Sequence, residues 1–561
     1  MRMRRDFKLT IAALLLFFAV AVVVAWADQL YYVDVEKGTD ANGYGASPGY
    51  GAWKSITYAL AHVAGSETDP VELLIARGTY DSSIESFPLS MESYVSLYGI
   101  HPSSVTIDAG GSSKRALFSD GAVDVTVSGL TIENGDGGAP INEYTRGGAV
   151  YCLDSSLEFV YCRILNSSAD YGGGIYTNSE THIKFVECEI ANNSATIDGG
   201  GIYTDHSYVT IWDTVIADNT ADNDGGGMFF DNNLSIEIWN CLIIRNKAGV
   251  GENPPPYGDG EGGGVYVNGK STNESEPLFI NCTFSLNEAG AFGGAIALGS
   301  YAKPRIVNSI LWGDKSHKLY DGKYYNEIYN AQNNNSICVT YSDVDQDGYL
   351  PSGGQTQGCN LGNIRQDPLF DPYGGYEDFF LSQGSKPKSP CVDTGDNDWE
   401  WYGGCHNHKY TTDPSDHLDM SSCTDQDKVD MGYHYKTYGM SYIELALFSV
   451  DVDFNRVVLK WETATEIDNA GFLVYRRENE ASEYQRVSSF IPAAGAAANG
   501  ASYSFTDANV KVGETYYYYL VDIDTSGKWT AHGPVPAGLP GRLEFIGPVH
   551  SLIVNQRPSA R

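Results

Sequence analysis

An all-β fold, built mainly as a parallel β-solenoid and followed by a small β-sandwich, is predicted for this chain of 561 residues. The main observation is a glycine-rich phrase that recurs six times at spacings of 25 to 37 residues. The phrase begins at Gly147, Gly172, Gly199, Gly225, Gly262 and Gly293. A period of this size is typical of repeat proteins whose units stack along one axis. No apolar run follows the 3.6-residue spacing that helical repeats need, so each unit is interpreted as short strands joined by Gly, Asn, Asp and Ser.

A second phrase keeps the same period and begins with a small side chain. It starts at Cys162, Cys188, Thr214, Cys241 and Cys282, and Ser309 continues the series. Parallel strands stacked about 4.8 Å apart place such equivalent residues in ladders. Because neighbours in a ladder offer poor geometry for disulfide bonds, the cysteines are interpreted as small buried residues. The asparagines four or five positions later predict a ladder of amides in a turn. They are Asn166, Asn192, Asn193, Asn219, Asn246 and Asn287.

Side-chain alternation along each strand assigns two faces to the residues that follow the glycine phrase. The third residue after the first glycine is aliphatic or Met and is expected to point into the coil. These residues are Val150, Ile175, Ile202, Met228, Val265 and Ile296. The fourth residue is expected to point outward, and it is aromatic in five repeats: Tyr151, Tyr176, Tyr203, Phe229 and Tyr266. The sixth residue shares that outward face and contributes Asn178, Asp205, Asp231 and Asn268. We call these nine residues the aromatic flank.

The aromatic flank is the ligand site that the sequence predicts. Aromatic rings stack on the C–H faces of sugars while carboxylates and amides bind hydroxyl groups, so the expected partner is a polysaccharide or cell-surface glycan. The alternative is that the tyrosines only favour β-structure and stack on one another. If the protein is an enzyme, Asp205 and Asp231 are the predicted catalytic pair, because successive rungs would place their carboxylates about 5 Å apart.

Calcium is the one cofactor that the sequence suggests, at two groups of carboxylates. The first group stands directly before three glycine phrases and consists of Asp198, Asp224 and Glu261. Stacked carboxylates repel unless cations or hydrogen bonds lie between them. The second group is the first half of a D-x-D-x-D-G calcium loop and consists of Asp343, Asp345 and Asp347. Its twelfth position is Gly354 rather than Glu, and solvated turn carboxylates are the alternative for both groups.

The N-terminus predicts export. Four basic residues accompany an apolar run from Ile11 to Ala25, and Ala25-Trp26-Ala27 predicts signal-peptide cleavage after Ala27. The run is shorter than the ~20 residues of a spanning helix, so no transmembrane helix is expected in the mature chain. Residues 1–27 carry a net charge of +3, so their removal changes the net charge from −35 to −38. Such a chain repels nucleic acid and anionic membranes.

The segment from Trp53 to Val63 predicts one short helix, with Ile56, Leu60 and Val63 on one face, that would cap the open end of the solenoid. It lies between Gly38-Thr39-Asp40 and Gly78-Thr79-Tyr80. This arrangement resembles the start of secreted right-handed parallel β-helix proteins of the pectin lyase-like superfamily, which implies such a helix over residues 28–304. The repeats are also similar to those in the passengers of polymorphic membrane proteins.

Residues 305–437 carry several phrases in a fixed order. They include Asp367-Pro368-Leu369-Phe370, Ser389-Pro390-Cys391-Val392-Asp393 and Val429-Asp430-Met431-Gly432-Tyr433. These phrases resemble the choice-of-anchor Q region, which implies a secreted or surface protein and a segment that completes the β-helix. Cysteines in this half of an exported chain favour disulfides, for example Cys338–Cys359 or Cys405–Cys423, and the spacing leaves the pairing open.

Residues 438–533 alternate apolar and polar side chains in a pattern that predicts a β-sandwich. Trp461 lies on an early strand and Tyr516-Tyr517-Tyr518-Tyr519 on a late one. The stretch resembles fibronectin type III-like modules of exported bacterial proteins, which mostly space or attach other domains. Residues 534–561 are predicted to be a disordered tail.

The sequence favours an exported, non-catalytic and adhesin-like β-helix that binds glycans or cell surfaces. One alternative, implied by the resemblance, is a polysaccharide lyase or glycoside hydrolase acting on acidic polysaccharide. The local signatures of polygalacturonases and pectate lyases are absent, however, and Arg146 and Lys270 are the few basic residues near the aromatic flank. The second alternative is a structural surface spacer.

Overall fold

The computed structural model describes residues 29–346 apart from 48, 100–101, 112, 139–143, 250–258, 321 and 331. Beyond residue 346 it describes 359, 361–371, 379–381, 389–391, 394, 410–411, 431–433, 435–436, 442–453, 456–467, 469–478, 484–488, 491–492, 501–511, 514–524 and 529–538. The predicted signal peptide, Asp347, Cys405 and Cys423 lie outside these residues.

Four parallel sheets wind into a β-helix, as the glycine period predicted. Sheet 1 contains Gln29–Val33, Val71–Ile75, Val95–Gly99, Val125–Ser128, Ser156–Val160, His182–Val186, Tyr208–Trp212, Ser235–Trp239, Leu278–Ile280, Arg305–Val307 and Cys338–Thr340. Sheet 2 contains Gly78–Asp81, Val105–Asp108, Thr131–Glu133, Arg163–Leu165, Glu189–Ala191, Val215–Ala217, Leu242–Ile244, Thr283–Ser285, Ile310–Trp312 and Asp343–Val344. Sheet 3 contains Ser168–Tyr171, Ser194–Asp198, Thr220–Ala221, Lys247–Ala248, Glu288–Ala289 and Lys315–Ser316. Sheet 4 contains Leu89–Ser90, Leu117–Asp120, Val150–Leu153, Ile175–Asn178, Ile202–Asp205, Met228–Asp231, Val265–Asn268, Ile296–Leu298 and Ile328–Asn330. From Ser156 onward each full coil passes through the sheets in this order, whereas the earlier coils have no strand in sheet 3.

The inward ladders form one continuous core, as predicted. The six residues from Val150 to Ile296 that follow the glycine phrases are all 0% exposed. The cysteines of the second phrase are buried and unpaired by disulfides. Their thiols donate to backbone carbonyls, as from Cys241 Sγ to Ile211 O at 3.4 Å. In the same frame, Thr214 Oγ1 accepts from Cys188 N at 3.2 Å. The interpretation of these positions as small residues in a tight turn is therefore confirmed.

The predicted asparagine ladder joins sheet 2 to sheet 3. Each member uses its side-chain oxygen to accept from the rung before it, and Asn219 Nδ2 donates to Asn246 Oδ1 at 3.0 Å. The hydrogen-bonded members are Asn193, Asn219, Asn246 and Asn287. The ladder ends where Asn287 Nδ2 donates to Asp314 Oδ1 at 2.7 Å. Because these amides satisfy backbone groups that no water reaches, they hold successive coils in register.

The glycine phrase bends the chain between sheet 3 and sheet 4. Gly199 has a φ of +68°, a left-handed conformation that side chains disfavour. At Gly200 a Cβ atom would lie 2.3 Å from the carbonyl oxygen of Gly226 on the next rung. The glycines are therefore required by backbone geometry and close approach, and they have a structural role.

The predicted capping helix is present over Ile56–Leu60, after a short 3-10 turn over Gly49–Gly51. Ser55 Oγ accepts from Tyr58 N at 3.1 Å as the N-cap. Glu85 also accepts from the first two helical amides at 2.7 Å each. Ile56 is 0% exposed, so the helix covers the open end of the core as expected.

The region after residue 304 divides into two parts. Residues 305–344 complete the last coil, and Cys338 is bonded to Cys359, one of the two pairings considered from the sequence. One antiparallel strand pair, Leu319–Tyr320 with Lys323–Tyr324, interrupts these residues. Two more follow them: Phe370–Asp371 with Phe380–Leu381, and Tyr410–Thr411 with Tyr435–Lys436. Phe370, Phe379 and Tyr433 pack on the outer face of sheet 2, where Leu242 and Ile244 are 0% exposed. The residues of this cluster therefore cover the β-helix, whereas Ile364, in a parallel bridge with Asp343, extends sheet 2.

The C-terminal residues form two antiparallel sheets around one core, as predicted for a sandwich. One sheet contains Tyr442–Asp453, Arg456–Ile467 and Ser502–Asp507. The other contains Gln485–Arg486, Asn469–Arg477, Thr515–Asp524 and Trp529–Gly538, with Ile491–Pro492 paired to its second strand. Trp461 is 0% exposed in the shared core. The last strand contradicts the predicted tail boundary at 534, because Val535 and Ala537 are buried in that core.

Candidate ligand-binding site

The aromatic flank lies on sheet 4 in the predicted register. Consecutive ring centroids are 5.3 Å apart for Tyr151–Tyr176, 5.3 Å for Tyr176–Tyr203, 4.9 Å for Tyr203–Phe229 and 4.9 Å for Phe229–Tyr266. The last three pairs are stacked, with interplanar angles of 7° to 21°. None of the five rings belongs to the core inside the coil, so they point outward as expected.

Three of these five rings are buried and the other two, Tyr203 and Tyr266, are half-buried, which argues against an open sugar platform on the aromatic flank. The exposed fractions are 4% for Tyr151, 6% for Tyr176 and 7% for Phe229. The guanidinium of Arg115 lies 4.5 Å from the centroid of the Tyr151 ring. Tyr171 contacts Tyr203 edge-on at 5.3 Å. Because ring faces are occupied by neighbouring rings, the column has the packing role that was the alternative interpretation.

The carboxylates before the glycine phrases are held by hydrogen bonds from rung to rung. Asp198 Oδ1 accepts from Asp224 N at 3.1 Å, and Asp224 Oδ1 accepts from Glu261 N at 2.8 Å. Burial raises the pKa of Asp198 to about 6, that of Asp224 to about 8 and that of Glu261 to about 7. The backbone N–H groups stabilise the stacked carboxyl groups, and the calcium site expected here stays a prediction.

The predicted catalytic pair, Asp205 and Asp231, occupies adjacent strands in register. Burial and then the nearby Asp231 charge raise the pKa of Asp205. Asp231 Oδ1 accepts from Asn268 Nδ2 at 2.9 Å, and Asn178 Nδ2 donates to the Tyr176 hydroxyl at 3.4 Å. The structure therefore brings these polar members of the aromatic flank together, beside rings that are already packed.

Neither predicted calcium group has a ligand arrangement among the described residues, where no cluster of three or more His, Cys, Asp or Glu side chains is placed to hold a metal ion. Asp343 is 0% exposed, and its Oδ1 atom accepts from Gln366 N at 3.0 Å. Asp345 pairs with Arg365 at 3.1 Å. Asp343 lies in a strand of sheet 2 and not in an exposed loop, and the calcium loop, whose Asp347 lies outside the described residues, stays a prediction.

A groove on the outer face of sheet 1 was not predicted from the sequence. It has a volume of about 360 Å³, in the range of ligand pockets, and crosses four successive rungs. Two outward ladders line it. The edge ladder consists of Asp124, Ser156, His182 and Tyr208, and the central ladder consists of Thr126, Glu158, Lys184 and Thr210. We call this the sheet 1 groove.

A stacked aromatic pair stands at the edge of the sheet 1 groove. The rings of His182 and Tyr208 are 4.1 Å apart and within 8° of parallel. The neighbours in this ladder are Ser156 before His182 and Ser235 after Tyr208. Because serine is small, the two outer ring faces of the pair are not covered along the ladder, and Tyr208 is 36% exposed. This pair offers the open aromatic faces that the aromatic flank lacks.

An ion pair crosses the centre of the sheet 1 groove. Lys184 Nζ lies 2.8 Å from Glu158 Oε1 on the preceding rung. The same ammonium lies 4.5 Å from the ring centroid of Trp212, which fixes it by a cation–π contact. Hydroxyl groups of Thr126 and Thr210 lie on the rungs before and after this ion pair. The groove can therefore accept and donate several hydrogen bonds beside an aromatic platform.

Sequence reasoning missed the sheet 1 groove because its ladders do not repeat. Ser, His and Tyr occupy successive rungs of the edge ladder, whereas the aromatic flank repeats one residue type. The available signal was the alternation within each strand of sheet 1, which places His182 and Lys184 on the outward face with Tyr208 and Thr210.

Comparison with protein families supports the fold. Residues 100–311 match the family described as a right handed beta helix region. The fold is a right-handed β-helix. The matched residues include the four rungs that line the sheet 1 groove. Comparison with curated proteins gives no match to this chain. Among the described residues, no helix has the length and apolar character needed to cross a bilayer.

Proposed function

We propose that this protein is an exported binding protein that holds an extended glycan chain in the sheet 1 groove. The observation that carries the proposal is the His182–Tyr208 stack, whose outer ring faces are open beside hydroxyl and carboxylate groups. Aromatic faces pack against sugar C–H groups, and the polar side chains supply partners for sugar hydroxyls. Export rests on the signal-like residues 1–27.

The direction of the sheet 1 groove favours a polymer over a single sugar. Its rungs follow one another about every 4.8 Å along the axis of the β-helix. A chain that crosses these rungs meets a new pair of outward residues on each of them, from the strand at Val125–Ser128 to the strand at Tyr208–Trp212. A sugar whose C–H face lies on an outer face of the His182–Tyr208 pair would stand over Ser156 or Ser235. A surface of this kind supports adhesion to a cell wall or matrix polysaccharide and needs no catalysed reaction.

Removing the aromatic pair is expected to weaken glycan binding by about 10-fold or more. Each stacking contact contributes about 0.5–1.5 kcal/mol, and 1.4 kcal/mol is tenfold in affinity. The experiment identifies a bound glycan on an array and then measures its dissociation constant by calorimetry for wild type, Tyr208→Ala and His182→Ala plus Tyr208→Ala.

The matched control is Tyr50→Ala, because Tyr50 is 81% exposed and lies on the short turn near the capping helix. This variant should bind like the wild type. Unchanged affinity in the double variant would contradict the proposal, and the absence of any glycan binding by the wild type would favour a structural spacer.

Catalysis is the second candidate, and one observation favours it. Burial and the nearby Asp231 carboxylate raise the pKa of Asp205, and a carboxyl group with a raised pKa beside a second carboxylate can serve as a general acid. Glycans incubated with the protein can be analysed for new reducing ends or unsaturated products. If the wild type forms such products and Asp205→Asn does not, the protein is an enzyme and the proposal of a binding protein is wrong.

A further inference from the structure

We infer that the glycan held in the sheet 1 groove is a neutral polysaccharide and not a polyuronate. This inference rests on the proposed function and names the class of ligand for the same site. It follows from the charges that line the groove and from the way in which its ammonium group is already paired.

The lining of the sheet 1 groove carries more negative than positive charge. Its charged side chains are two carboxylates, Asp124 and Glu158, and one ammonium, Lys184. Two negative charges and one positive charge leave a formal charge of −1 at pH 7, with His182 counted as neutral. A polyuronate brings one carboxylate with every sugar, so its charges would meet a lining of the same sign.

Lys184 does not offset the negative charge of the groove for a bound uronate, because its ammonium group is already paired. Its Nζ atom lies 2.8 Å from Glu158 Oε1 and 4.5 Å from the centroid of the Trp212 ring. A uronate that took this ammonium would separate it from Glu158 and leave that carboxylate facing the ligand. The ion pair therefore presents a nearly neutral surface whose remaining carboxylate oxygen accepts hydrogen bonds from hydroxyl groups.

Negative charge around the sheet 1 groove also favours neutral sugars over uronates. On the central ladder the rung after Thr210 carries Glu237, another carboxylate. The whole chain has a net charge of −35. A field of this sign lowers the local concentration of polyanions and slows their association. Neutral sugars are not affected, and they match the hydroxyl groups of Thr126, Ser156 and Thr210.

The test compares neutral and uronic oligosaccharides of equal length, for example xylo-, manno- and galacto-oligosaccharides against oligogalacturonates and oligoalginates. Dissociation constants are measured on the full mature chain at low salt, with EDTA to remove calcium bridges. The best neutral ligand is expected to bind at least about 10-fold more tightly than the best uronate.

A variant isolates the role of the ion pair. Glu158→Gln frees Lys184, so affinity for oligogalacturonate should rise about 5-fold while affinity for the neutral ligand changes less. The control is Glu189→Gln, which breaks the comparable pair with Arg163 on sheet 2, where the two groups are 2.6 Å apart. This control should leave uronate binding unchanged.

The outcomes separate the two proposals. Uronates that bind as tightly as neutral glycans in a Tyr208-dependent way would overturn the inference and leave the proposed function intact. Failure of Glu158→Gln to improve uronate binding would overturn the role given to the ion pair. If neither class binds, the proposed function fails and the inference fails with it.

Discussion

Replacing Asn246 with alanine is expected to lower the free energy of unfolding by about 4 kcal/mol. Asn246 is 0% exposed, and its Nδ2 atom donates to Ile216 O at 2.9 Å and to Asn287 Oδ1 at 3.0 Å. Its Oδ1 atom accepts from the backbone N and from Nδ2 of Asn219. Alanine leaves these groups buried without partners, and each unsatisfied group costs about 1–3 kcal/mol.

Urea unfolding followed by tryptophan fluorescence measures this loss. The control is Asn333→Ala, because Asn333 is exposed and such surface changes stay within about 0.5 kcal/mol. A free energy of unfolding for Asn246→Ala within about 1 kcal/mol of the wild-type value would contradict the role of the asparagine ladder in holding the coils in register.

The free energy of unfolding is also expected to fall by several kcal/mol, and by about 8 kcal/mol if the three buried carboxyl groups titrate independently, as the pH rises from 5 to 8.5. Unfolded carboxyl groups titrate near pH 4, whereas burial raises the pKa of Asp198 to about 6, of Glu261 to about 7 and of Asp224 to about 8. Between these values the folded protein binds more protons than the unfolded chain, so rising pH favours unfolding. This contribution is complete below about pH 4 and is lost as the pH passes 6 to 8.

Urea titrations at pH 5, 7 and 8.5 measure the slope, and Asp224→Asn tests its source. Asparagine keeps an oxygen that can accept from Glu261 N but cannot ionise, so the variant should lose much of the pH dependence and be more stable than the wild type at pH 8.5. The control is Asp154→Asn at an exposed turn, which should keep the wild-type slope. An Asp224→Asn slope equal to that of the wild type would contradict the assignment.

The features of the fold that repeat could be predicted from the sequence. The glycine phrase, the second phrase that begins at Cys162 and the asparagines recur because each coil imposes the same steric demand. Their positions in the coil therefore follow from the period alone. The capping helix and the sandwich followed from local patterns at Ile56 and Trp461. The cover over sheet 2 could not be predicted, because Phe379 and Tyr433 meet coils far away in sequence.

The candidate site was predicted less well for a physical reason. Alternation showed that Tyr176 and Tyr203 point away from the coil, but outward does not mean exposed. Stacking between rungs, together with Arg115 and Tyr171 from outside the ladder, covers the ring faces, so that Tyr176 is buried and Tyr203 half-buried. The sheet 1 groove depends on which unlike residues meet on adjacent rungs, and this requires the register that the structure supplies.

Hydroxyl-radical footprinting with and without the bound glycan tests the central claim most directly. The method reports solvent access at His and Tyr side chains, so it compares the sheet 1 groove with the aromatic flank in one experiment. Saturating ligand is expected to protect His182 and Tyr208 by several-fold and to leave Tyr171 and Tyr203 unchanged. Protection of Tyr171 and Tyr203 with no change at Tyr208 would contradict this claim and return the site to the aromatic flank.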